Sequence, residues 1–395
     1  MRMAEIGRRG ETGVDRAAFS PEDRAARRLL FEWAEEHGLE TFQDPIGNLF
    51  LRYAGRNTDL PCVLTGSHLD SQPTGGRFDG VFGVLAGLEA VATLAHSQVR
   101  LQRSIEVVAW SNEEGCRFAP GTMGSQVFAG HRTLAELGEI RDASGTTLST
   151  ALAETLAALP EVPVQNFRPK PSAYVEAHIE QGPRLEQMGV PIGVVSGIQG
   201  CLWLEYDIRG VAAHAGTTPH DCRQDALEGA LGLIDALRKH CLAGSPECRF
   251  TVGRLHVEPN TPNTIPGRVT FTVDFRSPDP ALFEELSQQL RLMQAPEPLR
   301  LEVRKLLHHP PKAFAPALIR MIDEIARDLG YGALNLVSGA FHDAYSLVHI
   351  CPVGMIFVRC RGGVSHNAQE FALPHDLGAG TQVLTHALVR LAECE

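Results

Sequence analysis

Three consecutive stretches constrain the fold more than any others: "CVLTGSHLDS" (62–71), "GVFGVLAGLEAVATLAHS" (80–97) and "RSIEVVAWSNEEG" (103–115). The first and third are short apolar runs that end in polar residues, the pattern of buried strands. The middle one is long, rich in Ala, Leu and Val, and reads as a helix. Strands alternating with helices predict an α/β sheet with helices on its faces. In such sheets chemistry gathers at the carboxyl ends of the strands. His68, Asp70 and the pair Glu113–Glu114 all fall at such ends. The pair poses a physical problem, because adjacent carboxylates repel and a regular strand points neighbours to opposite faces. A solvated loop is one explanation. An acid–base group next to a metal ligand is the other.

The rest of the chain divides in two. "PEDRAARRLLFEWAEEHGLE" (21–40) follows Ser20, has Pro21 in its first turn and ends near Gly38, so it reads as a helix. "NLFLRYAG" reads as a strand. From about residue 202 the pattern changes: Leu202, Leu204, Tyr206 and Ile208 alternate with polar residues. A helix, strands near 249–257 and 268–276, a helix at 280–294 and a strand at 299–305 complete the order β-α-β-β-α-β, that of a ferredoxin-like domain. Apolar strands then return ("CPVGMIFVR"), followed by a last helix. The expected organisation is a discontinuous catalytic domain, 1–200 with 312–395, and an inserted domain, 201–311. A chain of 395 residues exceeds the size at which one core keeps growing, which agrees with two domains.

Composition excludes several classes. The formal net charge is −11, from 36 basic and 47 acidic residues, and no basic block stands out, so nucleic acid is not an expected partner. No apolar run approaches the length of a membrane span. The first twenty residues lack the apolar core of a secretory signal. Nine scattered cysteines without a CxxC pair suit reduced thiols and a cytoplasmic protein.

Four segments carry candidate chemistry. "GSHLDSQPTGGRFDG" (66–80) holds His68, Asp70 and Asp79, with glycines that permit a tight turn around Asp79. "NEEG" supplies Glu113 and Glu114, "YVEAHIEQGPRLE" (174–186) holds His178 and Glu180, and "GGVSHNAQEF" (362–371) holds His366. Each taken singly has an ordinary structural explanation; four at the ends of apolar segments of one sheet favour a metal centre. In "RVTFTVDFRS" (268–277) the alternation leaves Asp274 and Arg276 on the polar face. They form either a surface ion pair of little energetic weight or a fork for a substrate carboxylate. Cys116 lies near the glutamates, but a nucleophilic cysteine would need a dedicated histidine partner. The histidines outside these segments and the motifs named next show no convergent partners.

With "AHAGTTP" and "PNTIPGRVTFTVDFR", these segments resemble the M20-type metallopeptidase superfamily, in its hydantoinase/carbamoylase branch of amidohydrolases, over nearly the whole chain. That branch contains N-carbamoyl-L-amino-acid hydrolases, allantoate amidohydrolases and β-ureidopropionases. The resemblance implies a mixed-sheet α/β metallopeptidase-like domain with an inserted ferredoxin-like lid and dimerisation domain. It implies two divalent metal ions, with Asp79 bridging, His68 and His178 completing one site, and Glu114 and His366 the other. Asp70 would orient His68, and Glu113 would be the general base. His214 would stabilise the oxyanion. Gln181, Asn263, Arg276 and His342 would hold substrate. His and carboxylate ligands without thiolate suit Zn, Mn, Co or Ni. The expected partners are an N-carbamoyl-L-amino acid or ureido acid and a second copy of the chain. Allantoate is the nearest alternative substrate, and an N-acyl-amino acid or dipeptide the next. Two departures from the branch pattern, Phe341 in "SGAFHDA" and Arg359–Cys360 after "GMIFV", touch no expected metal ligand and bear on the substrate pocket.

Overall fold

The computed structural model describes residues 2–166 and 170–394. Its contacts divide the chain into two units, Met1–Ser196 with Phe314–Glu395, and Gly197–Ala313.

After a short helical turn (Arg2–Glu5) and a small hairpin pairing Arg8–Arg9 with Gly13–Val14, the first unit forms α1 (Pro21–Glu36), whose N-terminus is capped by the Ser20 hydroxyl accepting from the Asp23 amide. Strands β1 (Glu40–Gln43), β2 (Leu49–Tyr53) and β3 (Val63–His68) follow, then α2 (Val81–His96) and β4 (Ile105–Trp110). Three short helices, α3 (Met123–Phe128), α4 (Leu134–Leu137) and α5 (Leu148–Ala157), precede β5 (Ala173–Ile179), α6 (Arg184–Met188) and β6 (Ile192–Ile198). The inserted unit contributes β7 (Gly200–Arg209), α7 (Ala226–Gly244), β8 (Arg249–Glu258), β9 (Arg268–Ser277), α8 (Pro280–Leu292) and β10 (Arg300–His309). The chain then returns with α9 (Pro316–Asp328), β11 (Ala333–Ser338), β12 (Val353–Val358) and α10 (Pro374–Glu393).

The large sheet is nine-stranded and mixed, in the order Lys312–Ala313, β6, β12, β5, β3, β4, β2, β1, with β11 beside β6. Its centre is parallel: β12 with β5, β5 with β3, and β3 with β4. Antiparallel pairs flank it, β6 against β12 and β2 against β4. The central strands are buried along their whole length, as expected of parallel strands covered on both faces. Val63, Leu64, Val107, Val108 and Val175 are fully excluded from water; each such side chain contributes about 1.5–3 kcal/mol. The apolar face of α2 and the last helix α10 pack over this core.

Parallelism has a direct consequence for function. The four central strands all end on the same edge of the sheet, so their terminal residues converge. Register sharpens this: His68 pairs with Trp110, Thr65 with Val175, and Phe357 with His178. Continued by three residues, the β3–β5 register brings His68 level with His178.

The N-terminal segment reinforces that edge. Arg16, 1% exposed, donates from Nε to the Leu69 carbonyl (2.6 Å) and from Nη1 to the carbonyls of Met3 (3.0 Å) and Ile6 (2.9 Å).

The inserted unit is a four-stranded antiparallel sheet in the order β8, β9, β7, β10. In β9 every second residue is buried. Val269, Phe271, Val273 and Phe275 pack with Leu233 and Leu237 of α7 and Leu286 and Leu290 of α8, leaving the other face polar.

Candidate metal centre

Four of the candidate ligands stand where a parallel strand or the turn after it ends, and Asp79 comes from the turn before α2. Asp79 divides its carboxylate. Oδ1 lies 3.1 Å from His178 Nε2 and 3.8 Å from His68 Nε2; Oδ2 lies 3.3 Å from His366 Nε2. His366 Nε2 is also 3.6 Å from Glu114 Oε2. Two triads result, His68–Asp79–His178 and Asp79–Glu114–His366, with the donor atoms of each within 4.8 Å of one another.

Gly80 makes this turn possible: its φ is +64°, and a Cβ there would lie 2.3 Å from the His68 ring. The glutamate pair is placed by a similar break. After β4, Asn112 takes a left-handed conformation (φ 52°) and Gly115 another (φ 67°), so the chain leaves the pleat that would separate Glu113 from Glu114. Asn tolerates this region better than most residues, and its Nδ2 donates to the Phe118 carbonyl at 2.8 Å. Glu113 Oε2 then comes within 3.5 Å of His68 Nε2. Below the turn, Ser111 is gripped by Arg27 Nη2 at its hydroxyl (3.0 Å) and by Asn48 Oδ1 at its amide (2.9 Å).

Asp70 departs from expectation. The His68 Nδ1 proton goes to the Asp70 backbone carbonyl at 2.8 Å, while the carboxylate stays 3.7 Å away. The carboxylate accepts instead from the amides of Glu113 (3.2 Å) and Glu114 (3.1 Å). Two amides at a tight turn would otherwise lack partners, and a buried orphan N–H costs about 1–3 kcal/mol. Asp70 orients His68 through its main chain and holds the glutamate turn through its side chain.

The electrostatics favour cations. His68 and His178 both commit Nδ1 to carbonyls, those of Asp70 and Ile179 (2.9 Å), so their Nε2 lone pairs face the Asp79 oxygens. The Gly80 amide donates to His178 Nε2 at 3.2 Å, but imidazole lone pairs facing carboxylate oxygens in a buried site still favour positive charge between them. Without a metal a proton serves: against burial, the hydrogen bond and charge of Asp79 raise His178 to about 9. Burial lowers His68 to about 4. Burial and the charge of Asp79 push Glu114 to about 8. Burial, with Asp343 and Glu114 nearby, drives Glu113 well above the usual carboxylate range. This concentration of oxygen and imidazole donors fits divalent cations, which would keep the ligands ionised. A further grouping, Glu176–His178–His342, is already committed. The His178 nitrogens face Ile179 and Asp79, and Glu176 accepts from Ser67 Oγ (2.8 Å), Tyr174 Oη (3.1 Å) and the Ala344 amide (3.1 Å).

The other expected residues fall in several places. Gln181, with φ 55°, donates from Nε2 to Asp79 Oδ2 at 2.9 Å, and its buried Oε1 has no partner among the described residues. His342 is 2% exposed, its Nε2 is 2.9 Å from Ser338 Oγ, and its ring packs edge-on against His178 at 4.5 Å. Within the inserted unit, His214 Nδ1 accepts from the amides of Gly216 (3.0 Å) and Thr217 (3.2 Å), so in the neutral ring Nε2 carries the proton and can donate. The Asn263 carbonyl accepts from the Ala215 amide, bracing the same loop. Arg276 forks onto Asp274 at 3.0 and 2.9 Å. Glu180 serves as a structural cap, accepting from the amides of Arg184 and Leu185. Burial raises the Cys116 thiol to about 12, and its Sγ is 2.9 Å from Gln72 Oε1, so it is no activated nucleophile.

Several contributors were not singled out from sequence. Gln72 holds both oxygens of Glu114, by its amide (3.1 Å) and its Nε2 (2.7 Å). Glu370, Arg27 and Asp343 also belong to this region. Their only local signal is charge or amide character beside a motif; the partners lie far away in the chain.

Comparison with known proteins adds an independent line. The profile of Peptidase family M20/M25/M40 matches residues 64–390. The chain is 39% identical to an N-carbamoyl-L-amino-acid amidohydrolase of Rhizobium meliloti, covering 100% of this chain and 95% of that protein. It is 34% identical to the allantoate deiminase of Arabidopsis thaliana, covering 96% and 79%. Among solved structures, a hydantoinase/carbamoylase family amidase from Burkholderia multivorans superposes with a TM-score of 0.92 at 43% identity, covering 100% and 96% of the two chains.

Proposed function

From the premise that this chain belongs to peptidase family M20/M25/M40, in its hydantoinase/carbamoylase branch, we propose that it is a two-metal amidohydrolase. Its substrate is an N-carbamoyl-L-amino acid, which it hydrolyses to the amino acid, carbon dioxide and ammonia. The observation that carries the reading is the shared Asp79, with one oxygen toward His68 and His178 and the other toward His366 beside Glu114. The full-length likeness to the Rhizobium protein supports the substrate class.

His68, Asp79 and His178 would hold one divalent ion (Zn, Mn, Co or Ni), and Asp79, Glu114 and His366 the second. When bound, such ions supply Lewis acidity toward the carbamoyl oxygen and lower the pKa of the attacking water. Glu113, outside both triads, takes the proton from water and delivers it to the leaving nitrogen. Gln181 Oε1, a buried acceptor without a donor among the described residues, accepts an N–H of the carbamoyl group. Asp70 supports the glutamate turn, and His342 supports the His178 ring.

In the inserted unit, whose strand order is ferredoxin-like, His214 donates Nε2–H to the developing oxyanion, a contribution of about 2.7–4 kcal/mol. Asn263 and Arg276 hold the substrate's polar groups, Arg276 by giving up part of its fork on Asp274. This unit serves as lid and dimer contact. Leu231, Leu242, Leu255 and Leu292, all exposed, provide apolar surface for a second copy. Nine free cysteines agree with a reducing cytoplasm.

Allantoate is the second reading, favoured by the likeness to the Arabidopsis deiminase. A panel of N-carbamoyl-L-amino acids, allantoate, β-ureidopropionate, acetyl-amino acids and dipeptides, run with ammonia detection and each of the four metals, tests the assignment. Carbamoyl-amino acids should give the highest kcat/KM. Full activity after chelation would overturn the mechanism.

A further inference from the structure

Glu370 is a carboxylate that no part of the reaction above uses, yet it is 1% exposed and close to the centre of the cluster. Its Oε1 accepts from the amides of Phe78 (2.9 Å) and Asp79 (3.0 Å), and its Oε2 lies 3.1 Å from Ser365 Oγ. Ser365 Oγ is also 3.2 Å from Asp79 Oδ2, and Gln181 Nε2 donates both to that hydroxyl (3.0 Å) and to Asp79 Oδ2 (2.9 Å). Glu370 is thus joined to Asp79 twice, once through the main chain of the residue and once through a hydroxyl shared with its side chain. A third link runs along the chain, because the Glu370 amide closes a turn on the Asn367 carbonyl (3.0 Å), directly after His366.

The partner segment is shaped for this contact. A Cβ on Gly76 would come within 2.1 Å of the Glu370 carboxyl carbon and oxygen, so the turn 76–79 wraps closely around that carboxylate. Ser365 has one proton and two carboxylates within reach. Its oxygen receives the Gln181 N–H, so the proton is divided between Asp79 and Glu370, and the position of Glu370 sets how Asp79 Oδ2 is solvated.

We infer that Glu370 is a positioning residue: it fixes the orientation of the Asp79 carboxylate and the approach of His366, and thereby the affinity for the second of two cations. The inference rests on the two-metal reading above. Outer partners of metal ligands typically account for about 10–100-fold in metal affinity.

Three variants test it: Glu370→Ala, Glu370→Gln and Gly76→Ala. Metal-free protein would be titrated calorimetrically with Zn²⁺ and Mn²⁺, bound metal counted by mass spectrometry, and folding followed by circular dichroism and Tm. Glu370→Ala should lose about 10–100-fold in affinity for the second cation, and kcat should fall while KM moves less than twofold. Glu370→Gln keeps an acceptor for both amides and should stay within about threefold of wild type. Gly76→Ala pushes the carboxylate away without removing it and should resemble Glu370→Ala, which keeps the test informative if the latter does not fold. A folded Glu370→Ala that binds both cations as wild type does would overturn the inference. So would a Gln variant that loses as much as Ala. Wild-type protein that takes up no cation pair would overturn the two-metal reading itself, an outcome separate from wild type and variant binding alike.

Discussion

On the Oδ1 side of Asp79, His68 and His178 are 2% and 1% exposed, and both have Nδ1 fixed on backbone carbonyls. On the Oδ2 side, the His366 side chain is 51% exposed and its backbone is left-handed at φ 53°. Glu114 on that side is held by Gln72, a side chain from a loop. The two histidines of the first triad stand on strands β3 and β5 and are preorganised by main chain. The second depends on turns and on side chains that hold side chains. A ligand fixed by a strand loses little entropy on binding metal, whereas one on a turn must be ordered. The two lobes should therefore differ in affinity, exchange and tolerance to mutation.

The largest effect should come from the residue outside both lobes. Glu113→Gln is expected to lower kcat by about 10²–10⁴-fold while leaving both cations bound; loss of a cation along with activity would place Glu113 in the ligand set. Next, His178→Ala should remove the tighter cation and, in metal-free protein, cost about 3–5 kcal/mol, since it strands the buried Asp79 charge. His366→Ala should release only the weaker cation and barely move Tm. Equal losses in calorimetry and thermal melts would erase the contrast between the lobes.

Acidity gives a smaller, graded test. Glu114 is raised to about 8, Asp70 to about 7 and His178 to about 9 in the metal-free fold. Burial is the first influence on each; it raises the two carboxylates and opposes the rise of His178, which the bond and charge of Asp79 carry. Between their ordinary values and these, the folded state binds more protons than the unfolded chain, so stability falls as pH rises. His68, lowered to about 4 by burial, works the other way only at acidic pH. Metal-free protein should lose Tm from about pH 5 to 9, and added metal should restore most of it at the alkaline end. A flat profile in melts across this range would contradict the assignment. The smallest effect is expected at Cys116→Ser, within about twofold in kcat/KM, because the thiol is protonated and outside both triads; a large loss in the same assay would reopen a role for it.

Much of this centre was legible in the sequence for one physical reason: parallel strands end together, so His and carboxylate residues at the ends of separate apolar runs become neighbours. His68, Glu114, His178 and His366 follow that rule, and Asp79 follows from the glycines around it. Helix α1 was legible from Ser20 and Pro21, and β7 and β9 from strict alternation. Strand β6 (Ile192–Ile198) was not, since its "IGVVSGI" is a short run with two glycines, which periodicity does not distinguish from a linker. The destination of the Asp70 carboxylate was hidden because it depends on where the amides of Glu113 and Glu114 point, more than forty residues away. Glu370 was hidden for the same reason, with its amide donors nearly three hundred residues earlier.

The Arg16 tie to Leu69 also has a mechanical meaning. A pull on the N-terminus, from a tether or an unfolding motor, would load the carbonyl next to His68 before it strained the centre of the sheet. The opposite end runs out through α10, where the Arg103 amide donates to the Ala392 carbonyl at 2.9 Å, and force entering there is taken up just before β4 begins at Ile105, at the end of the strand away from the candidate ligands. Anchoring this protein to a surface by its C-terminal end should spare the metal centre, and anchoring it by the other end should make the site a gauge of tension.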